Sequence, residues 1–248
     1  PSEIEFSEGT RSVTFRLRTA GDLEIRKIYT FDAETYAITL DLEVAPAGPQ
    51  AAAARSVLGE PRQVRFGWPQ GIASTEEGHD RFAKQAFRSF AMVGEDLETR
   101  NRSDLDDSVE EVEYFDQGLI NFAGIKNKYF TIVGLPRGED PGARTGSVML
   151  SGDQTRNLQT WSIALDSQRR GGDAIGGASL TLYIGPQEQD RLKAFGVGLD
   201  KTMDLGWALF RPLTEATLWI MDQMRRVIPN YGVIIILFSV LTKVAFYP

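Results

Sequence analysis

Apolar and polar residues alternate along much of the first 184 residues. The clearest case has apolar residues at every second position from Tyr36 to Val44, with mostly polar residues between them. A period of two is typical of a strand with one buried and one wet face, as antiparallel sheets provide. We therefore predict many short strands, and similar runs rich in apolar, β-branched or aromatic residues lie at 13–17, 112–115, 129–135, 158–165 and 180–184.

Turn-forming residues separate these runs and favour a meandering sheet. Turns are predicted at Gly21-Asp22, at Gly134 with Pro136, and at the glycine-rich segments 138–146 and 169–173. Residues 45–54 offer neither a strand face nor a helical stripe, and residues 95–111 are highly polar. We predict a loop over 45–54, and over 95–111 a solvated loop leading into the strand at 112.

The period changes after Gly185. Pro186 and the acidic Glu188 favour a short helix, which Gly196 would end. A second, amphipathic helix is predicted after Pro212 and ends before residue 229, since apolar residues recur at three- and four-residue steps. Its stripe holds Leu213, Ala216, Ile220, Met224 and Val227, and Trp219 widens it. A helix with this apolar stripe could lie near a membrane surface, or it could pack against the strand-rich part of the chain.

Residues 231–247 form an apolar run with one charge, Lys243. As a helix the run would be about 26 Å long, just under the hydrocarbon thickness of about 30 Å. We interpret it as a transmembrane helix cut short; the alternative is a buried core helix or strand. A lysine at that depth is costly, so Lys243 is either a functional group facing a hydrated cavity or a side chain reaching toward a nearby interface.

Composition removes several classes of function. The chain has 248 residues, with 27 basic and 34 acidic side chains, and its net charge of −7 disfavours a nucleic-acid partner. The absence of cysteine excludes disulfides, thiolate metal sites and cysteine nucleophiles. The single histidine, His79, excludes multi-histidine metal sites. We expect no catalytic residue, no metal and no cofactor.

Two weaker patterns, an acidic segment and a set of aromatic residues, have structural explanations that need no bound ligand. Acidic residues at 104–111 lack the spacing and the glycine of a calcium-binding loop. Phe66, Trp68 and Trp161 could line a sugar cleft, but aromatic residues in strand patterns are more often core residues.

Several short segments in the last quarter of the chain occur in an order and spacing that are specific. They are TLYIGPQEQD at 181–190, DLGW at 204–207, RPL at 211–213, WI at 219–220, NYG at 230–232, VIII at 233–236 and YP at 247–248. In these segments the chain resembles the YidC membrane protein insertases. Residues 121–136 resemble the same family more loosely, and the remainder only in its strand-rich character.

The resemblance implies a mainly β fold, an antiparallel β-supersandwich similar to sugar mutarotases, followed by C-terminal helices. Residues 1–184 would be a periplasmic β-sandwich domain. Residues 185–230 would hold a short helix and an amphipathic membrane-proximal helix, and residues 231–248 the truncated start of a transmembrane helix. The expected location is the bacterial inner membrane, with residues 1–230 on the periplasmic side.

The resemblance also implies a function without covalent catalysis, namely aid in the insertion and folding of inner-membrane proteins. The expected partners are nascent inner-membrane proteins, the lipid bilayer, and the Sec translocon including SecD and SecF. Lys243 occupies a position where the family usually has an arginine facing a hydrophilic groove. An ammonium group keeps the charge but lacks the planar fork of a guanidinium, so Lys243 is expected to attract polar parts of a nascent chain without bidentate binding.

Two other functions remain open at this point. A membrane-tethered carbohydrate- or peptidoglycan-binding module would show an open aromatic cleft. A sugar-modifying enzyme would show converging carboxylates in a pocket, but sugar mutarotases use histidines plus a carboxylate, and this chain has one histidine.

Overall fold

The computed structural model describes residues 8–49, 63–73, 87–101, 112–138, 140–153, 158–168, 174–203 and 211–245. The chain divides into two compact units, Pro1–Asp200 and Lys201–Pro248. The described strands of the first unit are β1 (Thr10–Arg18), β2 (Leu23–Asp32), β3 (Ala37–Pro46), β4 (Gln63–Trp68), β5 (Arg88–Val93), β6 (Asp96–Asn101), β7 (Val112–Lys126), β8 (Phe130–Arg137), β9 (Thr145–Asp153), β10 (Leu158–Asp166) and β11 (Gly176–Pro186).

The described helices lie mostly in the C-terminal part of the chain. A 3-10 helix, Pro141–Arg144, precedes β9, and a second one, Leu199–Thr202, spans the boundary between the units. The α-helices are α1 (Gln189–Ala194), α2 (Arg211–Val227) and α3 (Tyr231–Ala245). The predicted short helix, amphipathic helix and helical apolar run therefore all form.

The strands pair antiparallel throughout the described residues. Their order is β1-β2-β3-β11-β8-β7-β9-β10-β4, and the β5-β6 hairpin joins through β7. The prediction of a mainly antiparallel β fold followed by C-terminal helices is confirmed.

The long strand β7 belongs to two parts of the sheet. Its residues 112–119 pair with β9, whereas residues 123–126 pair with β8 and residues 120–126 with β5. Gly118 has a φ of 153°, and the β5–β7 register shifts at Met92 and Val93, so the strand is irregular where it changes partners. The sequence pattern predicted only the first few residues of this strand, because its alternation is broken at that irregularity.

The sheet curls so that β10 faces β8 and β11. The indole of Trp161 in β10 lies against Gly134 of β8, and the side chain of Leu180 in β11 is beside that glycine too. Trp161 is 2% exposed. The apolar faces form one core cluster, whose buried members are Leu40, Val64, Phe66, Ala91, Val93, Ile120, Ala123, Ile125, Ile132, Val148, Leu150, Trp161, Ile163, Leu165, Ala178 and Leu180.

Three turn or loop predictions are wrong. Gly134 and Pro136 lie inside β8, where the glycine makes room for the Trp161 ring. Gly146, at the end of a predicted turn, lies in β9, where a β-carbon would meet the carbonyl oxygen of Ala164. Ala45 is fully buried in β3, so that strand runs two residues into the predicted loop.

The polar segment after residue 95 is also a strand in its described part. Asp96–Asn101 forms β6, which pairs with β5 through a turn at Gly94, whose φ is 59°. Pairing with the adjacent strand β5 outweighs the polar composition, because β5 is already anchored in the sheet by β7. Residues 50–54, 102–111, 169–173 and 204–207 and His79 lie outside the described residues.

Candidate functional site

The apolar helix α3 carries large side chains that are exposed. Among them, Val233, Ile235, Leu237, Val240 and Leu241 are 42–56% exposed, while Ile236 and Val244 reach 65% and 72%. Ile234 is the buried exception, and Phe238 and Thr242 near the same side of the helix are half-buried. This is not the exposure of a core helix, and an apolar surface of this kind indicates an interaction site.

The Ser239 and Thr242 hydroxyls of α3 and one N–H of its first turn have hydrogen-bond partners within the helix or at its cap. The Asn230 side chain accepts a hydrogen bond from the Gly232 backbone N–H at 2.9 Å, as an N-cap residue does. The Ser239 hydroxyl donates to the Ile235 carbonyl at 2.7 Å, and the Thr242 hydroxyl donates to the Phe238 carbonyl at 3.0 Å. Such bonds remove the need for water partners, so the hydroxyls tolerate an apolar environment.

Lys243 lies in the last turn of α3 and is exposed. It follows Ser239 by four residues, and Gly232 precedes Ser239 by seven, so these three positions share one stripe of the helix. Ile234 and Phe238 lie on the other side. A partner that packs against this side of α3 therefore also contacts the ammonium group of Lys243.

Helix α2 contains the apolar residues that were predicted for the membrane-proximal helix, and its described side chains differ in exposure. Trp219 and Val227 are 65% and 82% exposed, whereas Ile220 and Met224 are half-buried. Leu213 lies in the first turn of the same helix. On the same helix the Arg226 guanidinium forms an ion pair with the Asp222 carboxylate, with 3.4 Å between nitrogen and oxygen. The predicted stripe of α2 is therefore half-buried at Ile220 and Met224 and exposed at Val227, and Trp219 beside the stripe is exposed too.

The second unit thus presents two helices with exposed apolar side chains. In the part of the chain that the structure describes, none of the helices combines the length and apolarity needed to cross a membrane. The described part of α3 has 15 residues, about 22 Å of helix.

The first unit has a pocket of about 220 Å³ between the β2–β3 turn and α1. Its lining is mostly apolar and combines aromatic residues with one cation: Thr35, Tyr36, Ala37, Tyr183, Arg191, Ala194 and Phe195. The Tyr183 ring packs edge-on against Phe195 and Tyr36, with centroids 5.4 and 6.5 Å apart. The Arg191 guanidinium lies 5.0 Å from the centre of the Tyr36 ring.

Backbone and charge contacts fix this pocket. The Ile184 N–H donates to the Tyr36 carbonyl at 3.0 Å, and the Tyr183 hydroxyl donates to the Pro186 carbonyl at 2.7 Å. Burial raises the pKa of Tyr183, against the opposing effect of the Arg191 guanidinium. Arg191 pairs with Glu188, and this hydrogen bond raises the pKa of the guanidinium further. The pocket therefore holds a phenol whose pKa is raised by burial and a guanidinium that is paired with a carboxylate.

Sequence reasoning missed this pocket. Tyr183 has the opposite parity from Leu180 and Leu182, so it points away from the core cluster, and this parity was the available signal. The candidate sugar-cleft aromatics are core residues: Phe66 and Trp161 are buried, and Trp68 packs partly buried against the core cluster. Groups of three or more potential metal-ligating side chains are absent from the described residues.

Comparison with known proteins gives the family. Residues 2–219 match the family model described as YidC periplasmic domain. The chain belongs to the YidC family. A protein named membrane protein insertase YidC, from Prosthecochloris aestuarii, is 31% identical over 239 residues, which cover 96% of this chain and 38% of that protein.

Other YidC relatives show the same partial coverage. The insertase of Chlorobium luteolum is 28% identical over 247 residues, covering 96% of this chain and 39% of the relative. The insertase of Methylobacillus flagellatus is 28% identical over 262 residues, covering 100% and 42%. The chain thus spans about two-fifths of the length of the curated YidC proteins it matches, and the match to the family model covers the β unit and about the first half of α2.

Proposed function

We propose that the chain is the periplasmic part of a YidC-type insertase together with the start of its second transmembrane helix. In this role it aids the insertion and folding of inner-membrane proteins, alone or with the Sec translocon. Residues 1–230 lie on the periplasmic side, and the chain enters the bilayer at Tyr231. Family membership and the names of the relatives support this proposal.

The observation that carries the proposal is the exposed apolar surface of α3. Ile236 and Val244 are more than half exposed, and the Ser239 and Thr242 hydroxyls donate to carbonyls of their own helix. Covering this surface with lipid removes the cost of exposing it to water, roughly 25 cal/mol per Å² of apolar area. A helix with satisfied hydroxyls enters hydrocarbon without leaving donors unpaired.

The partners follow from the same proposal. The lipid bilayer covers α3, and nascent inner-membrane proteins are the substrates. SecD and SecF, as parts of the Sec translocon, are proposed to contact the periplasmic unit. Insertion changes the environment of a hydrophobic segment and breaks no covalent bond, so the proposal needs no catalytic residue.

Lys243 is proposed to attract polar or acidic parts of a nascent chain toward a hydrated groove. The position of Lys243 on the exposed side of α3, on one stripe with Ser239, supports this role. The attraction is one of charge, because an ammonium group does not bind a carboxylate in the bidentate geometry of arginine.

The test replaces Lys243 in the full-length protein and measures insertion of several substrates in cells that depend on it. Lys243→Leu is expected to lower insertion several-fold, most strongly for substrates with acidic translocated segments, while Lys243→Arg retains activity. Arg225→Leu, which removes an exposed charge from α2, is the matched control and is expected to insert normally. Undiminished insertion by Lys243→Leu at equal protein levels would exclude the groove role.

A further inference from the structure

Strand β1 forms an edge of the sheet. Among the described residues it pairs only with β2, in an unbroken register from Thr10 opposite Asp32 to Arg18 opposite Glu24. Eight of its nine residues are exposed, and Val13 is half-buried. An edge of this kind presents a row of backbone N–H and C=O groups to an incoming strand.

On one face of this edge Val13, Phe15 and Leu17 form an apolar run that continues the core-facing surface of the sheet. Phe15 and Leu17 are 59% and 62% exposed, and Val13 lies on the same face two residues earlier. The Phe15 ring packs edge-on against Tyr29 of β2, at 5.9 Å between centroids, and Tyr29 packs against the core cluster. The apolar surface therefore runs from the core outward to β1 and ends exposed.

The charge of this strand is opposite to that of the chain. β1 carries Arg11, Arg16 and Arg18 and no acidic residue, although the whole chain has a net charge of −7. Arg18 pairs with Asp22 at 2.8 Å, and among the described residues Arg11 donates only to the adjacent Thr10 carbonyl, at 3.4 Å. Arg16 is exposed, lies directly opposite Arg26 of β2, and has no carboxylate partner among the described contacts. Two arginines on one strand thus have charge available for a partner.

From this combination we propose that β1 binds an extended acidic segment of another protein, which adds to the sheet as a further strand. The backbone edge supplies main-chain hydrogen bonds, as in other cases of strand addition. Val13, Phe15 and Leu17 take apolar side chains of the segment on one face. Arg16, on the other face, takes an acidic side chain, and Arg11 takes one near the end of the strand.

Two other occupants fit less well. A second copy of the chain, paired edge to edge, would bring three arginines of each β1 together, and like charges on paired strands repel. An anionic lipid surface would attract the arginines, but it makes no use of the open backbone edge or of the alternation between apolar and basic side chains. Arginines that merely protect an edge from aggregation would bind no peptide at all.

The experiment measures binding of a fluorescent nine-residue peptide that alternates glutamate and valine, by anisotropy, to the full chain in zwitterionic detergent. The chain is expected to bind this peptide and not one that alternates lysine and valine, and added salt weakens binding. Arg16→Glu is expected to weaken binding about tenfold, which corresponds to roughly 1.4 kcal/mol. Leu17→Thr weakens it several-fold, and Arg225→Glu on α2 is the matched control with unchanged affinity.

Two N-methylated versions of the peptide test whether it adds as a strand. Methyl groups on every second amide block one hydrogen-bonding edge of a strand, so one version loses binding and the version methylated on the alternate amides keeps it. Equal binding of both versions, equal affinity for Arg16→Glu, or no binding of the acidic peptide would each overturn the proposal. Binding of phosphatidylglycerol vesicles through Arg16, without binding of the peptide, would overturn it in favour of a lipid surface.

Discussion

The indole ring of Trp161 occupies the space that a β-carbon would need at Gly134. An ideal β-carbon on Gly134 would lie 2.4 Å from Cη2 and 2.7 Å from Cζ3 of that ring. Trp161 belongs to β10 and Gly134 to β8, which lie on facing parts of the curled sheet. One absent methyl group therefore sets how closely the two parts of the sheet approach.

Gly134→Ala is expected to destabilise the β unit by about 1–3 kcal/mol, the usual cost of overpacking a core. Urea unfolding followed by tryptophan fluorescence measures the change. Gly142→Ala is the matched control, because its β-carbon would have neighbours only at 3.5 Å or more, and it is expected to change stability by less than about 0.5 kcal/mol. Equal stability of the two variants would mean that the Trp161 ring has room to move.

Tyr183→Phe is expected to cost about 1 kcal/mol near pH 8, because it removes the hydrogen bond to the Pro186 carbonyl. Burial raises the folded-state pKa of Tyr183 above its usual value of 10.0. Above pH 10 the unfolded chain ionises this tyrosine first, so the wild type loses stability as the pH rises toward the folded-state pKa. Urea titrations from pH 8 upward should show the difference between wild type and variant shrinking, and parallel loss in both would contradict the assignment.

Ile236→Asp is expected to abolish stable association of α3 with lipid. Ile236 is 65% exposed near the middle of the helix, and a carboxylate there costs about 2.5–3.5 kcal/mol in hydrocarbon, roughly two orders of magnitude in partitioning. Flotation with liposomes measures the bound fraction. Ile236→Val is the control and should float like the wild type, while unchanged flotation of Ile236→Asp would show that α3 does not enter the bilayer.

Local pattern predicted much of the fold. The alternation from Tyr36 to Val44 became β3, and the change of period after Gly185 marked the start of the helices. Predictions failed where strand pairing or side-chain packing in the folded sheet decides the outcome. The polar β6 is a strand because β5 offers it an edge, and Gly134 lies inside a strand because a tryptophan about 27 residues further along the chain needs its space.

The candidate sites divide in the same way. The exposed apolar helix with Lys243 is visible in the sequence, since an apolar run depends on consecutive residues alone. The aromatic pocket brings Tyr36 together with Tyr183 and Arg191, and about 150 residues of the chain separate Tyr36 from the other two. Each of these residues is visible in the sequence, but the sequence pattern does not show that they lie close together.

The order of apolar and polar residues determined most of the element types and the apolar character of α3, and the identity and spacing of short segments carried the resemblance to the YidC family, because these depend on neighbours along the chain. Only the tertiary structure decided that β1 lies at an edge, that Trp161 closes on Gly134, and that the pocket forms around Tyr183. These features arise from pairing between distant strands, where the free energy depends on which faces meet.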